Sequence, residues 1–289
     1  MIGSMTRRSG RAANGTCELY YDTFGDPADP TLLLVNGLGS QCTNYPDEWC
    51  ELFVAKGLHV IRFDNRDVGL STSFADAPTD SSGAAYRLSD MARDAIAVLD
   101  ACGVERAHVM GLSMGGMIVQ TMAIEHPDRV LSMTSVMSTT GEPEYMRSSP
   151  EAYAVLTGPP ATDRESYVAN QIAGLHVFGS PAFADEARWR AAAEGSYDRS
   201  FTPDGTRRQF MAVGASGSRA DGLRQVTTPT LVIHGSADTL IDPIGGRRTA
   251  ELVPGARFEL IDGMGHDYPP ELWERWVDLV TGHVSAART

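Results

Sequence analysis

Apolar residues in this chain fall into two recurring patterns. Short, nearly continuous runs of strand length recur at Thr31-Leu32-Leu33-Leu34-Val35, Leu58-His59-Val60-Ile61-Arg62-Phe63, Ala107-His108-Val109-Met110, Val130-Leu131-Ser132-Met133-Thr134-Ser135-Val136, Thr230-Leu231-Val232-Ile233-His234 and Arg257-Phe258-Glu259-Leu260-Ile261. Runs of this kind are the pattern of strands buried on both faces. Between them, apolar positions recur at helical spacing. Met91, Ala95, Val98 and Leu99 predict a helix over 88–102, and Met117, Ile118, Val119, Met122 and Ile124 predict another that Pro127 ends. Further helices are predicted over 46–56, 244–252 and 271–283. Strand followed by helix followed by strand implies a parallel sheet with right-handed crossovers. Leu19-Tyr20-Tyr21-Asp22 reads as an opening strand, whereas residues 1–14, polar and bearing Arg and Gly, read as disordered.

The alternation stops after the strand at 130–136. Residues 139–223 offer three helix-like segments, near 164–175, 183–193 and 203–213, but no buried strand. The predicted organisation is therefore a sheet domain made of residues 15–138 and 224–289, with a helical cap at 139–223 inserted in it. The cap is rich in aromatic residues, among them Tyr167, Phe178, Trp189, Tyr197 and Phe201. An aromatic lid over a polar centre points to a substrate with substantial apolar or aromatic area.

Candidate chemistry lies where the strands end, the place where open α/β sheets bind ligands. Gly111-Leu112-Ser113-Met114-Gly115 separates a strand from a helix. A turn this sharp holds its serine in a strained backbone conformation, at a cost of about 1–3 kcal/mol, and requires small neighbours two residues to each side. The strain lifts the hydroxyl clear of the sheet and leaves the free N–H groups of the following helix facing any charge that develops there. A serine hydroxyl is a weak nucleophile at neutral pH, so it needs a base and a group that orients the base. Of the seven histidines, only His266 follows a strand end within a glycine-rich turn, Asp262-Gly263-Met264-Gly265-His266. Asp238 follows the strand at 230–234 directly and is the leading orienting acid, with Asp242 as the fallback. Asp64 and Arg66, in the turn Asp64-Asn65-Arg66-Asp67-Val68-Gly69-Leu70-Ser71, read as structural and paired.

Composition narrows the partners. The formal net charge of -13 over 289 residues argues against nucleic acid or an anionic membrane surface as partner. No window approaches the ~18 to 20 apolar residues of a membrane span, and the first residues lack a secretory h-region, so a cytoplasmic protein is expected. The four cysteines are scattered without metal-ligand spacing, which argues against both a zinc site and a disulfide framework.

On Asp64 to Ser71, Gly111 to Gly116 and Gly263 to His266 the chain resembles the α/β-hydrolase superfamily, in a branch that contains aclacinomycin methylesterase and mycobacterial carboxylesterases. The resemblance implies a mostly parallel eight-stranded sheet flanked by helices, with an inserted helical cap. It also implies a Ser113 nucleophile, a His266 base, an Asp238 acid and an oxyanion hole from the backbone N–H groups of Leu38 and Met114, with no cofactor and no metal. Asn36 departs from the pattern, since many relatives carry His before the glycine of the oxyanion loop. The activity implied is carboxylic ester hydrolysis through an acyl-enzyme. Perhydrolysis or carbon-carbon bond hydrolysis by the same triad, and ligand reception by the same fold, are the alternatives.

Overall fold

The apolar runs form the parallel part of one sheet. β3 (Thr31–Val35), β4 (His59–Phe63), β5 (Ala107–Leu112), β6 (Val130–Val136), β7 (Thr230–Gly235) and β8 (Arg257–Ile261) run parallel. The computed structural model describes residues 7–287. Among these, β1 (Arg8–Asn14) and β2 (Cys17–Phe24) complete an eight-stranded sheet in the order β1-β2-β4-β3-β5-β6-β7-β8, with the β1–β2 and β2–β4 pairs antiparallel. Every residue of β3, β4, β5 and β7 is buried, as their continuous apolar runs require, while β8 at the sheet edge is half exposed.

Side chains alternate across the sheet and so supply two cores. Leu33, Val35 and Val109 face α2 (Leu88–Ala101) and α3 (Met114–Glu125). Leu32, Leu34 and Met110 face α1 (Asp47–Val54) and α10 (Trp273–Ala286), where Trp49 meets Trp276 edge to face at 6.2 Å. Each fully buried leucine in these layers contributes roughly 1.5–3 kcal/mol. α9 (Pro243–Leu252) connects β7 to β8. No helix among the described residues is long and apolar enough to cross a membrane.

The N-terminal reading needs correction. Residues 8–14 are strand β1, paired with β2 from Arg8 opposite Thr23 to Asn14 opposite Cys17. Gly15 at φ +59° starts a two-residue hairpin turn, for which Gly at the first central position is the preferred residue. The composition misled because this is an edge strand: Ala12 is buried in the core while Arg8 and Arg11 face solvent. Residues 1–6 lie outside the described residues.

Between β6 and β7 the chain forms α4 (Pro150–Leu156), α5 (Arg164–Phe178), α6 (Glu186–Arg199), α7 (Gly205–Ser216) and the single turn α8 (Ala220–Leu223). α6 starts later than its apolar pattern suggested because Asp185 caps it, accepting from the Arg188 N–H at 3.0 Å. Two buried carboxylates fasten these helices to the sheet. Asp64 pairs with Arg199 of α6 at 2.8 Å, and Asp67 pairs with Arg208 of α7 at 2.7 Å. Asp64 and Arg66 are thus structural but not partners of each other: Arg66 turns the other way and pairs with Asp94 of α2 at 2.6 Å.

Candidate active site

β5 runs into α3 through Ser113, whose φ of 57° and ψ of -118° are unusual for a residue with a side chain. Backbone contacts hold that strain in place. The Ser113 N–H donates to the Val136 carbonyl at 2.9 Å, and the Ser138 hydroxyl donates to the Ser113 carbonyl at 2.8 Å. The flanking glycines are steric necessities: a Cβ on Gly111 would collide with the Gly115 carbonyl, and one on Gly115 with the Val35 carbonyl. Met114 is the first residue of α3, so its N–H is one of the free donors at the helix start.

The loop after β3 lies against this turn. A Cβ on Gly37 would sit 3.3 Å from the Ser113 Cβ, so Gly37 and Ser113 face each other closely. Asn36 is buried, and its carbonyl accepts from the Asn65 side-chain amide at 3.1 Å. Tyr45 anchors the end of β3 by donating to the Val35 carbonyl at 2.9 Å.

Asp238 follows β7 and His266 follows β8, at the C-terminal ends of the parallel strands, as Ser113 follows β5. The His266 Nδ1 lies 2.7 Å from Asp238 Oδ2, while Asp238 Oδ1 accepts from the Leu240 and Ile241 N–H groups at 2.9 Å each. Burial pushes the Asp238 carboxyl up, but His266 and His234 together hold it down at about 2. Asp267, next to His266 in sequence, behaves oppositely: burial pushes it up against the pull of its bonds to Ser180. The two neighbouring carboxyls are thus shifted in opposite directions, Asp238 down and Asp267 up. The other acids are occupied elsewhere. Asp242 caps α9 by accepting from the Ile244 N–H at 2.9 Å, and Asp262 accepts from the Ser236 hydroxyl at 3.0 Å.

The structure therefore brings Asp238 and His266 into direct contact and sets Gly37 against Ser113. The Ser113 hydroxyl and the His266 ring are not hydrogen-bonded to each other in this conformation, as is common before substrate binds. Sequence reasoning passed over one residue here, and named a second only as one aromatic of the cap. His234, at the end of β7 and fully buried, directs Nε2 to Asp238 Oδ2 at 3.2 Å and to the Ile241 carbonyl at 2.8 Å. Its spacing of four residues from Asp238 was the available signal. Phe178, the last residue of α5, packs edge-on to His266 at 6.1 Å, and its carbonyl accepts from the His266 N–H at 2.6 Å. A separate cavity of about 200 Å³, bordered by Thr121, Glu125 and Arg219, lies beside the far end of α3.

An eight-stranded sheet whose strand ends carry a strained serine, a carboxylate-histidine pair and a glycine loop defines a class. Consistent with this, residues 30–269 match the family of the alpha/beta hydrolase fold, and the chain belongs to that family. Among individual proteins, it is 32% identical to rhodomycin D methylesterase DnrP of Streptomyces peucetius over 302 residues, covering 95% of this chain and 97% of that protein. It is 31% identical to rhodomycin D methylesterase DauP of Streptomyces sp. strain C5, covering 93% of this chain and 95% of that one. Of solved structures, the esterase RhEst1 from Rhodococcus sp. ECU1013 shares the fold, with a TM-score of 0.79 at 21% identity over 98% of this chain and all of the other.

Proposed function

We propose that this protein is a carboxylic ester hydrolase that works through a Ser113-His266-Asp238 triad and an acyl-enzyme. The observation that carries the reading is the Asp238-His266 hydrogen bond at the strand ends where Ser113 also stands, with the Asp238 carboxyl held low by its histidines. Asp238 accepts the His266 Nδ1–H, which leaves Nε2 as the basic nitrogen. His266 takes the Ser113 proton as Oγ attacks the ester carbonyl. The carbonyl oxygen becomes an oxyanion, stabilised by the Leu38 and Met114 N–H groups. The tetrahedral intermediate collapses, the carbon-oxygen bond to the alcohol breaks, and His266 returns the proton to the departing alkoxide. Water, deprotonated by His266, then attacks the acyl-enzyme and releases the acid and free Ser113. Every proton moves through His266, so the scheme asks for no metal or cofactor.

In this reading residues 139–223 act as a cap over the site. Phe178 brings its aromatic ring to the base, whereas Tyr167, Tyr197 and Phe201 pack mainly on one another at 4.7–5.9 Å and stabilise the cap itself. The substrate class is an ester of a carboxylic acid with apolar or aromatic area, and the methylesterase relatives favour methanol as the released alcohol. Steady-state assays with p-nitrophenyl esters of graded acyl length, and with aromatic methyl esters followed by acid release, test this in the presence of a chelator. Sustained multiple turnover, unaffected by the chelator, is the expected result. A burst of one equivalent followed by silence, across all substrates, would favour ligand reception instead.

A further inference from the structure

α7 reaches the loop after β3 through one buried side chain. Gln209 has no solvent exposure, and both ends of its amide are spent on backbone of the sheet domain rather than on its own helix. Oε1 accepts from the Gly39 N–H at 2.8 Å, and Nε2 donates to the Arg66 carbonyl at 2.8 Å. Around it, a Cβ on Gly39 would lie 2.6 Å from the Thr206 hydroxyl one turn earlier on α7, so helix and loop are in close contact. The helix has little freedom to withdraw, because Arg208 clamps Asp67 through both carboxylate oxygens.

The bond to Gly39 falls at a telling position. Ser40 N–H donates to the Gly37 carbonyl at 3.3 Å, closing a four-residue turn in which Leu38 and Gly39 are central. Gly39 has φ +68° and Leu38 is not in the positive-φ region, which is the type II arrangement. Types I and II differ by a flip of the central peptide, the one that joins Leu38 to Gly39. Gln209 accepts the N–H of that peptide and so selects one of the two. A flip would turn the N–H away and leave the buried Gln209 Oε1 without a donor.

We propose that Gln209 is a positioning residue for the oxyanion loop: by anchoring the Gly37–Ser40 turn through its Gly39 N–H, it fixes the place of the turn, and with it that of the Leu38 N–H that the developing oxyanion needs. This rests on the oxyanion role of Leu38 given under the proposed function. It makes the reaction depend on a side chain of the helical insertion that touches neither substrate nor triad.

The test compares Gln209→Met, which keeps the volume but loses the acceptor, with Gln209→Glu, which keeps an oxygen for Gly39 but sets a second one against the Arg66 carbonyl. With p-nitrophenyl acetate, Gln209→Met is expected to lower kcat about tenfold to a hundredfold with KM changed less than about threefold, the signature of a lost transition-state interaction. Gln209→Glu is expected to stay within about threefold of wild-type kcat while melting no higher than Gln209→Met, so that rate and stability part company. If Gln209→Met does not fold, Gln209→Asn replaces it, too short to span both partners and expected to show the same loss of kcat. A folded Gln209→Met or Gln209→Asn with wild-type kcat, or a Gln209→Glu that falls as far as either, overturns the inference. Ser113→Ala is run beside them. An inactive Ser113→Ala with an unaffected Gln209→Met overturns the positioning role alone, whereas an active Ser113→Ala overturns the reading on which it rests.

Discussion

Ser113→Ala is expected to lower p-nitrophenyl ester turnover by at least about 10⁴-fold while leaving the fold intact, because removal of the nucleophile stops the triad as a unit. Ser113 occupies its strained conformation because Val136 and Ser138 hold its backbone, not because its hydroxyl is bonded. Alanine retains those backbone bonds and loses only Oγ. Thermal melting and circular dichroism should therefore match wild type within the small shifts usual for conservative substitutions. Turnover within about tenfold of wild type, in a folded variant, would remove Ser113 from the mechanism.

Asp238→Asn carries the second large effect, a loss on the order of 10⁴-fold in kcat from the wrong histidine tautomer. Asparagine offers Oδ1 and an NH₂ in place of two acceptor oxygens. Four donors compete for the acceptors: His266 Nδ1, the Leu240 N–H, the Ile241 N–H and His234 Nε2. The two backbone donors take Oδ1, so the NH₂ faces His266 and forces its proton to Nε2, where it can no longer accept from Ser113. Stability shifts as well. Asp238 titrates at about 2 in the folded protein and near 3.9 when unfolded, so its contribution is complete above the unfolded value and is lost as pH falls toward 2. Melting temperature against pH should accordingly fall less steeply on the acid side in Asp238→Asn than in wild type. A kcat within about tenfold of wild type would shift the orienting role to another acid.

Much of this was legible in the chain itself. The five-residue run from Thr31 to Val35 and its counterparts needed no tertiary information, because a strand covered on both faces can contain little but apolar residues. The glycines at 111 and 115 likewise announced a turn that no larger residue could make. Other features escaped for identifiable reasons. β1 has a single buried side chain, so an edge strand looked like a polar tail. Arg199, Arg208 and Gln209 find partners more than 130 positions away, at Asp64, Asp67 and Gly39, and no local pattern encodes such pairs. His234 was read as an ordinary strand residue, since its contact with Asp238 depends on how the turn after β7 folds back.

The most direct measurement is covalent. A fluorophosphonate reacts with a serine only where a base activates it and donors stabilise the tetrahedral adduct, so intact-mass and peptide mass spectrometry read nucleophile, base and oxyanion hole together. The expected result is one phosphonate per chain, mapped to the peptide that contains Ser113, absent in Ser113→Ala and formed far more slowly in Asp238→Asn. Continued ester turnover with no adduct, or with the adduct on a different residue, would contradict the assignment of this strand-end serine as the nucleophile.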